Sequence, residues 1–144
     1  MCADPILDML LQRTRQECEK KGLTFHCEIR QGCTEFMDAP SITALYSNLL
    51  SNAVEAAHES KGRSLELRVT NQAQGVVLSL VNDCDTPPKT DGTGRLITRK
   101  QDTQAHGVGI KSIDRVVRRY NGLQTVYYDD QQRQFHCIIH FPHT

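Results

Sequence analysis

The sequence predicts an α+β fold: a two-layer α/β sandwich, with a mixed sheet of about five strands and three helices on one face. Three observations carry this prediction. Segments of helical apolar period and segments of strict alternation succeed one another as helix, strand, helix, strand, strand, helix, strand, strand. A short polar turn joins the second strand to the third, which implies an antiparallel hairpin. A tract from about 83 to 105 shows neither period, so it connects elements without belonging to one.

The first helix opens on Asp4-Pro5, an N-cap followed by a proline in the first turn. Ile6, Met9, Leu10 and Cys18 give its apolar stripe, which stops near Lys20-Lys21-Gly22. Leu23, Phe25, Cys27 and Ile29 then alternate with Thr24, His26, Glu28 and Arg30, the pattern of a half-buried strand. Gln31 to Pro40 reads as loop.

The second helix starts near Ser41 and ends around Lys61-Gly62, with Ile42, Leu45, Leu49, Ala53 and Ala56 as its apolar face. Asn48, Asn52 and Glu55 line one edge of it. Two asparagines a turn apart in a strong helix are either a solvated polar stripe or donors to a ligand: an amide offers an oxygen to a metal and an N–H to a phosphate. Leu65, Leu67 and Val69 mark the second strand, and the apolar run Val76 to Val81 suits a central one.

The aperiodic tract carries two prolines, two glycines and many polar residues, and reads as a mobile lid. His106-Gly-Val-Gly-Ile-Lys111 opens the last helix, with a stripe of Ile110, Ile113, Val117 and Tyr120, closed by Asn121-Gly122. Two strands finish the chain, Leu123 to Tyr128 and Phe135 to Phe141; Phe135, Cys137, Ile139 and Phe141 share a face.

Composition narrows the function. At 144 residues the whole chain, 1–144, is expected to be one domain. Lys plus Arg and Asp plus Glu are 17 each, so no net field favours nucleic acid or an anionic membrane. No stretch has the length of a membrane span and no signal-peptide pattern is seen. Six scattered cysteines without a C-x-x-C pair predict reduced thiols in a cytoplasmic setting, with neither a disulfide frame nor a zinc site. His136 and His140 share a strand face but lie roughly 13 Å apart at strand rise, too far for one metal. His58, Lys111, Arg115 and Arg118 read as surface residues.

Asn48-Leu-Leu-Ser-Asn52-Ala-Val-Glu55-Ala resembles the N-box of the GHKL superfamily of gyrase, chaperone, sensor-kinase and mismatch-repair ATPases. The wording is most similar to sensor histidine kinases of the peptide-pheromone quorum-sensing type. His106-Gly107-Val108-Gly109-Ile110-Lys111 resembles their G2 box, Thr98-Arg-Lys100 their T-x-K lid motif, and Tyr120-Asn-Gly122 their pattern after the helix. This is not a P-loop, since the G-K-[ST] ending is missing. The D-x-G of the G1 box is also absent. Asn82 stands where most relatives carry an aspartate that accepts from the adenine amino group, and Asp83, Asp85 or Asp91 are alternatives for that role.

The resemblance implies a Bergerat-type sandwich over nearly the whole chain, binding Mg-ATP between helix and sheet. Asn52 would ligate Mg2+, with Asn48 as a second candidate ligand or a contact to the phosphates. Asn82 would face adenine, while Thr98, Lys100, His106 and the amides of Gly107 to Ile110, with Lys111 close by, would hold the phosphates. Glycines at a helix start let backbone N–H groups approach an anion that the helix dipole favours. Asn48 would be the catalytic position: ATPase relatives carry a glutamate there, and a neutral amide cannot take a proton from water. The implied function is the ATP-binding catalytic domain of a two-component sensor histidine kinase. Its γ-phosphoryl would pass to a histidine on a separate dimerisation hairpin, which this chain is expected to lack, and on to a response regulator. The alternatives are an anti-sigma-factor-type serine kinase of the same fold, a non-catalytic GHKL interaction module and, least favoured, a plain ATPase.

Overall fold

The structure, a computed structural model, describes residues 4–87, 89–90, 96–97 and 104–143. Helix α1 (Pro5–Lys21) begins on the Asp4 carboxylate, which accepts from the amides of Ile6 and Leu7, and ends on Gly22 in the left-handed conformation. Its buried side chains are Leu7, Leu10, Leu11, Thr14 and Cys18; Met9, expected in the stripe, is about half exposed. Leu7 and Leu11 sit one turn apart around Leu10 and complete the inward face without Met9.

Strand β1 (Thr24–Ile29) pairs parallel with β2 (Ser64–Gln72), and the long α2 (Ala39–His58) makes the crossover that parallel pairing requires. Helix α2 starts two residues before Ser41 because Asp38 is the cap and Ala39-Pro40 form its first turn. It ends at His58, earlier than the Lys61-Gly62 boundary. There the Arg63 guanidinium donates to the last carbonyls of both α1 (Lys21) and α2 (His58), a site the two helix dipoles make favourable for a cation. Ala57 is the buried alanine of the last turn, whereas Ala56 is half-buried.

Strand β2 pairs antiparallel with β3 (Gly75–Asp83), as the hairpin reading expects. The apolar run does form the central strand, in a sheet ordered β1-β2-β3-β7-β6. From Val76 onward only alternate residues of β3 are fully covered: Val76, Leu78, Leu80 and Asn82 face inward. The tract after it is not featureless, for a two-strand ladder joins β4 (Lys89–Thr90) to β5 (Leu96–Ile97). Helix α3 (Gln104–Arg119) leads to the antiparallel pair β6 (Leu123–Asp129) and β7 (Gln134–Pro142). Of its expected stripe Ile113 and Val117 are buried, joined by Val116, while Ile110 and Tyr120 are half-buried.

Three helices and a five-strand mixed sheet therefore enclose one apolar cluster, in which Leu7, Ile42, Leu45, Leu67, Leu78 and Ile139 are almost wholly buried. Among the described residues no helix is long and apolar enough to cross a membrane. The five described cysteines are unbridged.

Candidate functional site

Helix α2 carries the asparagine edge, and α3 packs along it. Asn48 is half-buried and its amide nitrogen donates back to the Ala44 carbonyl, one turn earlier, which fixes the side chain and leaves Oδ1 pointing outward. That oxygen faces Gly109 of α3: a Cβ built on Gly109 would stand 3.0 Å from it. Glycine at this position is therefore a matter of room for the Asn48 amide as well as of backbone freedom. The two sequence motifs, half a chain apart, meet side by side. Asn52, one turn on from Asn48, is half-buried beside them. Glu55 has interactions of its own on the next turn.

At the end of β3, Asn82 points inward, 3% exposed, in register with Leu65 of β2 and Phe135 of β7. Its amide nitrogen donates to the Asp83 carbonyl at 3.1 Å. A carbonyl can only accept, so this bond settles which way the amide is turned. Among the described residues no donor reaches Asn82 Oδ1. A buried acceptor without a donor costs stability unless something fills it.

The neighbouring aspartates are employed otherwise. Asp83 lies on the opposite face of the strand, where Oδ2 accepts from both the amide (2.9 Å) and the hydroxyl (2.6 Å) of Ser64 and Oδ1 accepts from Gln134. A Cβ on Gly62 would come within 2.4 Å of that carboxylate. Asp85 accepts from the Lys61 amide at 3.0 Å. The Tyr128 hydroxyl donates to the Cys84 carbonyl at 2.6 Å, and the Cys84 amide donates to the Arg133 carbonyl. These bonds tie residues 83–85 to β2 and to the β6–β7 hairpin, and they leave Asn82 as the strand-end acceptor that faces the helices.

The glycine motif sits differently from expectation. Helix α3 begins at Gln104, two residues before His106, so Gly107 and Gly109 lie within its first turns. Helical geometry directs the amides of Val108, Gly109 and Ile110 to the carbonyls of Gln104, Ala105 and His106. The amides of the first turn, Gln104 to His106, are the ones that helix geometry leaves without an intrahelical carbonyl. Lys111 is exposed on the following turn. The expectations for Thr98, Lys100 and Asp91, and for most of the lid, lie outside the described residues.

The buttress of Gly62, Ser64, Asp83 and Gln134 carries no signal in the sequence. Its members are scattered along the chain, and only the β2–β3–β7 register brings them together.

Comparison with known proteins gives the class. A family model described as a GHKL domain matches residues 37–142, and the chain belongs to that family. The fold is similar to a nucleotide-free catalytic domain of the histidine kinase ThkA, with a TM-score of 0.70 at 15% identity over 99% of this chain and 94% of that one. It is also similar to full-length ShkA in complex with AMPPNP, with a TM-score of 0.70 at 14% identity, where 99% of this chain covers 30% of that protein. The Acinetobacter baumannii histidine kinase AdeS gives 0.62 at 15% identity, covering 95% of this chain and 62% of that one. At these identities the likeness is one of fold. No curated protein matches in sequence.

Proposed function

We propose that this chain is the ATP-binding catalytic domain of a sensor histidine kinase, 1–144 forming one domain, of the peptide-pheromone quorum-sensing branch. The observation that carries the reading is Asn82, a buried amide at the end of the central strand whose oxygen no donor among the described residues reaches. An acceptor so placed suits the amino group of adenine. Membership of the GHKL family and the fold shared with histidine kinase catalytic domains support it.

Asn48 and Asn52 then stand where the phosphates would lie. Neutral amide oxygens on one helix edge fit Mg2+, which takes few protein ligands when phosphates and waters complete its shell. The metal, when bound, neutralises charge on the β- and γ-phosphates. Asn52 would supply an oxygen ligand, and Asn48, held by its bond to Ala44, would orient a phosphate or a water. For the amides of Gly107 to Ile110 to bind phosphate, the first turn of α3 has to unwind and release them; Thr98, Lys100, His106 and Lys111 would add positive charge or donors to the phosphates. Transfer of the phosphoryl group rests on positioning and charge neutralisation, which these groups provide. Without a carboxylate at position 48 no base activates water, so ATP is kept for the acceptor.

The acceptor is a histidine on a separate dimerisation hairpin, followed by a response regulator. The domain acts in the cytoplasm, without membrane or nucleic-acid contact of its own. The test is incubation of the chain with labelled ATP, Mg2+ and a phosphoacceptor hairpin of this kinase class. Label that appears on the hairpin, is lost in acid and survives base is the expected phosphohistidine. Acid-stable label on a protein serine would assign the chain to the anti-sigma-factor kinases, and steady ATP turnover without acceptor would contradict the role given to Asn48.

A further inference from the structure

The Tyr120-Asn121-Gly122 corner has no part in the nucleotide reading, yet several hydrogen bonds and ring contacts converge on it. It closes α3 as a left-handed cap: the Gly122 amide donates to Val117 O at 2.7 Å and the Asn121 amide to Arg118 O, with Asn121 at φ 55°. Gly122 is closely packed: a Cβ there would lie 3.0 Å from the Phe141 ring and 3.2 Å from Val117, so these neighbours would have to give by a few tenths of an ångström. The cap turns Tyr120 onto the start of α2. Its hydroxyl accepts from the Asp38 amide at 3.0 Å and donates to Ser41 Oγ at 3.3 Å. The Asp38 carboxylate caps α2 through the Ser41 amide and accepts from Arg119 at 2.8 Å. Phe36 packs between Tyr120 and Phe141, each ring centroid 5.4 Å away, and the Arg119 guanidinium lies 5.7 Å over the Tyr120 ring.

The second observation is directional. Asp38 meets Tyr120 at one end of the helix pair, and Asn48 meets Gly109 farther along it. From Asp38 to Asn48 on α2, and from Tyr120 back to Gly109 on α3, the helices advance by about three turns each, roughly 15 Å. The two helices therefore run antiparallel in matched register, tied at one end and facing each other across the asparagine edge at the other. A rigid helix pivoted at a tie converts small changes there into displacement at its far end.

We propose that this corner is a positioning clamp, in which Tyr120, Asp38 and Arg119 hold α3 against α2 and set the spacing between Asn48 and Gly109, the cleft into which the nucleotide reading places the phosphates. Its functional consequence rests on the nucleotide reading of that cleft; the spacing itself does not. The ion pair alone is exposed and worth little. The strength of the clamp lies in the Tyr120 hydroxyl bridge and the three packed rings.

Two variants separate its parts. Tyr120→Phe removes both hydroxyl bonds and keeps the ring packing. Asp38→Asn keeps a good cap for α2 and breaks the pair with Arg119. Amide NMR spectra without nucleotide read the cleft through the Gly109 backbone and Asn48 side-chain resonances. Calorimetry with Mg-ATP analogue reads affinity, and thermal melting reads the fold. In Tyr120→Phe both resonances move, the protein stays folded, and affinity falls roughly two- to tenfold, the equivalent of one net hydrogen bond; Asp38→Asn shows a smaller change of the same kind. Unmoved Gly109 and Asn48 resonances with unchanged affinity, while the melting temperature drops, would overturn the clamp and leave an ordinary helix cap. If the unmodified chain binds no nucleotide, the reading of the cleft fails, and the NMR comparison still decides the clamp.

Discussion

Asn82 shows how much one side chain can decide. A strand-terminal asparagine is commonly a turn former, and in sequence it competes with Asp83, Asp85 and Asp91 for the same role. Geometry separates the described three: Asp83 is bound to Ser64 and Gln134, Asp85 to the Lys61 amide, and Asn82 turns inward with an oxygen that no donor among the described residues reaches. Replacing it by alanine should weaken ATP-analogue binding by about 1–2 kcal/mol, roughly five- to thirtyfold, whereas Asn82→Asp should retain binding because it retains an acceptor; calorimetry distinguishes the two. Asp38 makes a pH prediction. Hydrogen bonds from Ser41, its hydroxyl first and then its amide, hold this carboxyl below its ordinary value of 3.8, with the Arg119 charge adding to the effect. A carboxyl with a depressed folded-state pKa contributes stability that is present above the unfolded pKa and lost as pH falls through the folded one. Acid unfolding below about pH 4 should therefore be less steep in Asp38→Asn than in the unmodified chain, a comparison that circular dichroism can make.

Among the elements, those with a strong period were legible. The capped start of α1, the β2–β3 hairpin and the inward faces of α2 and β7 all follow from spacing and end signals. What spacing does not contain is choice of neighbour. The parallel pairing of β1 with β2 comes from the long crossover through α2, and Met9 was placed inside because a 3.6-residue period admits either Met9 or the Leu7–Leu11 pair. The sequence reading opens α3 at His106, whereas the helix starts at Gln104 and runs through Gly107 and Gly109 despite the low helix propensity of glycine. That discrepancy bears on function. If phosphate takes up the amides of Val108 to Ile110, their hydrogen exchange should change on nucleotide binding while that of Val116 and Val117 stays slow; an identical pattern with and without nucleotide would mean the helix start is not the anion site.

In the whole molecule, stability and site share one layer. The sheet's inner face and the three helices bury a continuous apolar cluster, and Asn82 lies at its end in the same inward row as Val76, Leu78 and Leu80. Leu78 is wholly buried on the central strand, so Leu78→Ala should cost about 2–5 kcal/mol in denaturant unfolding. The fold class was readable because element order is a property of the chain. The buttress around Asp83 and the clamp at Tyr120 were not, since each joins residues from distant segments whose meeting only the assembled sheet and helix pair determine.

The central claim, a magnesium-nucleotide site between α2 and the end of β3, is tested most directly by calorimetric titration with ADP and a non-hydrolysable ATP analogue. The titration is run with and without Mg2+, on the unmodified chain and on Asn52→Ala. The account predicts binding of both nucleotides, strengthened by Mg2+ in the unmodified chain and no longer strengthened in Asn52→Ala. Absence of heat at millimolar nucleotide with a folded protein would contradict it and leave a GHKL domain that serves as an interaction module.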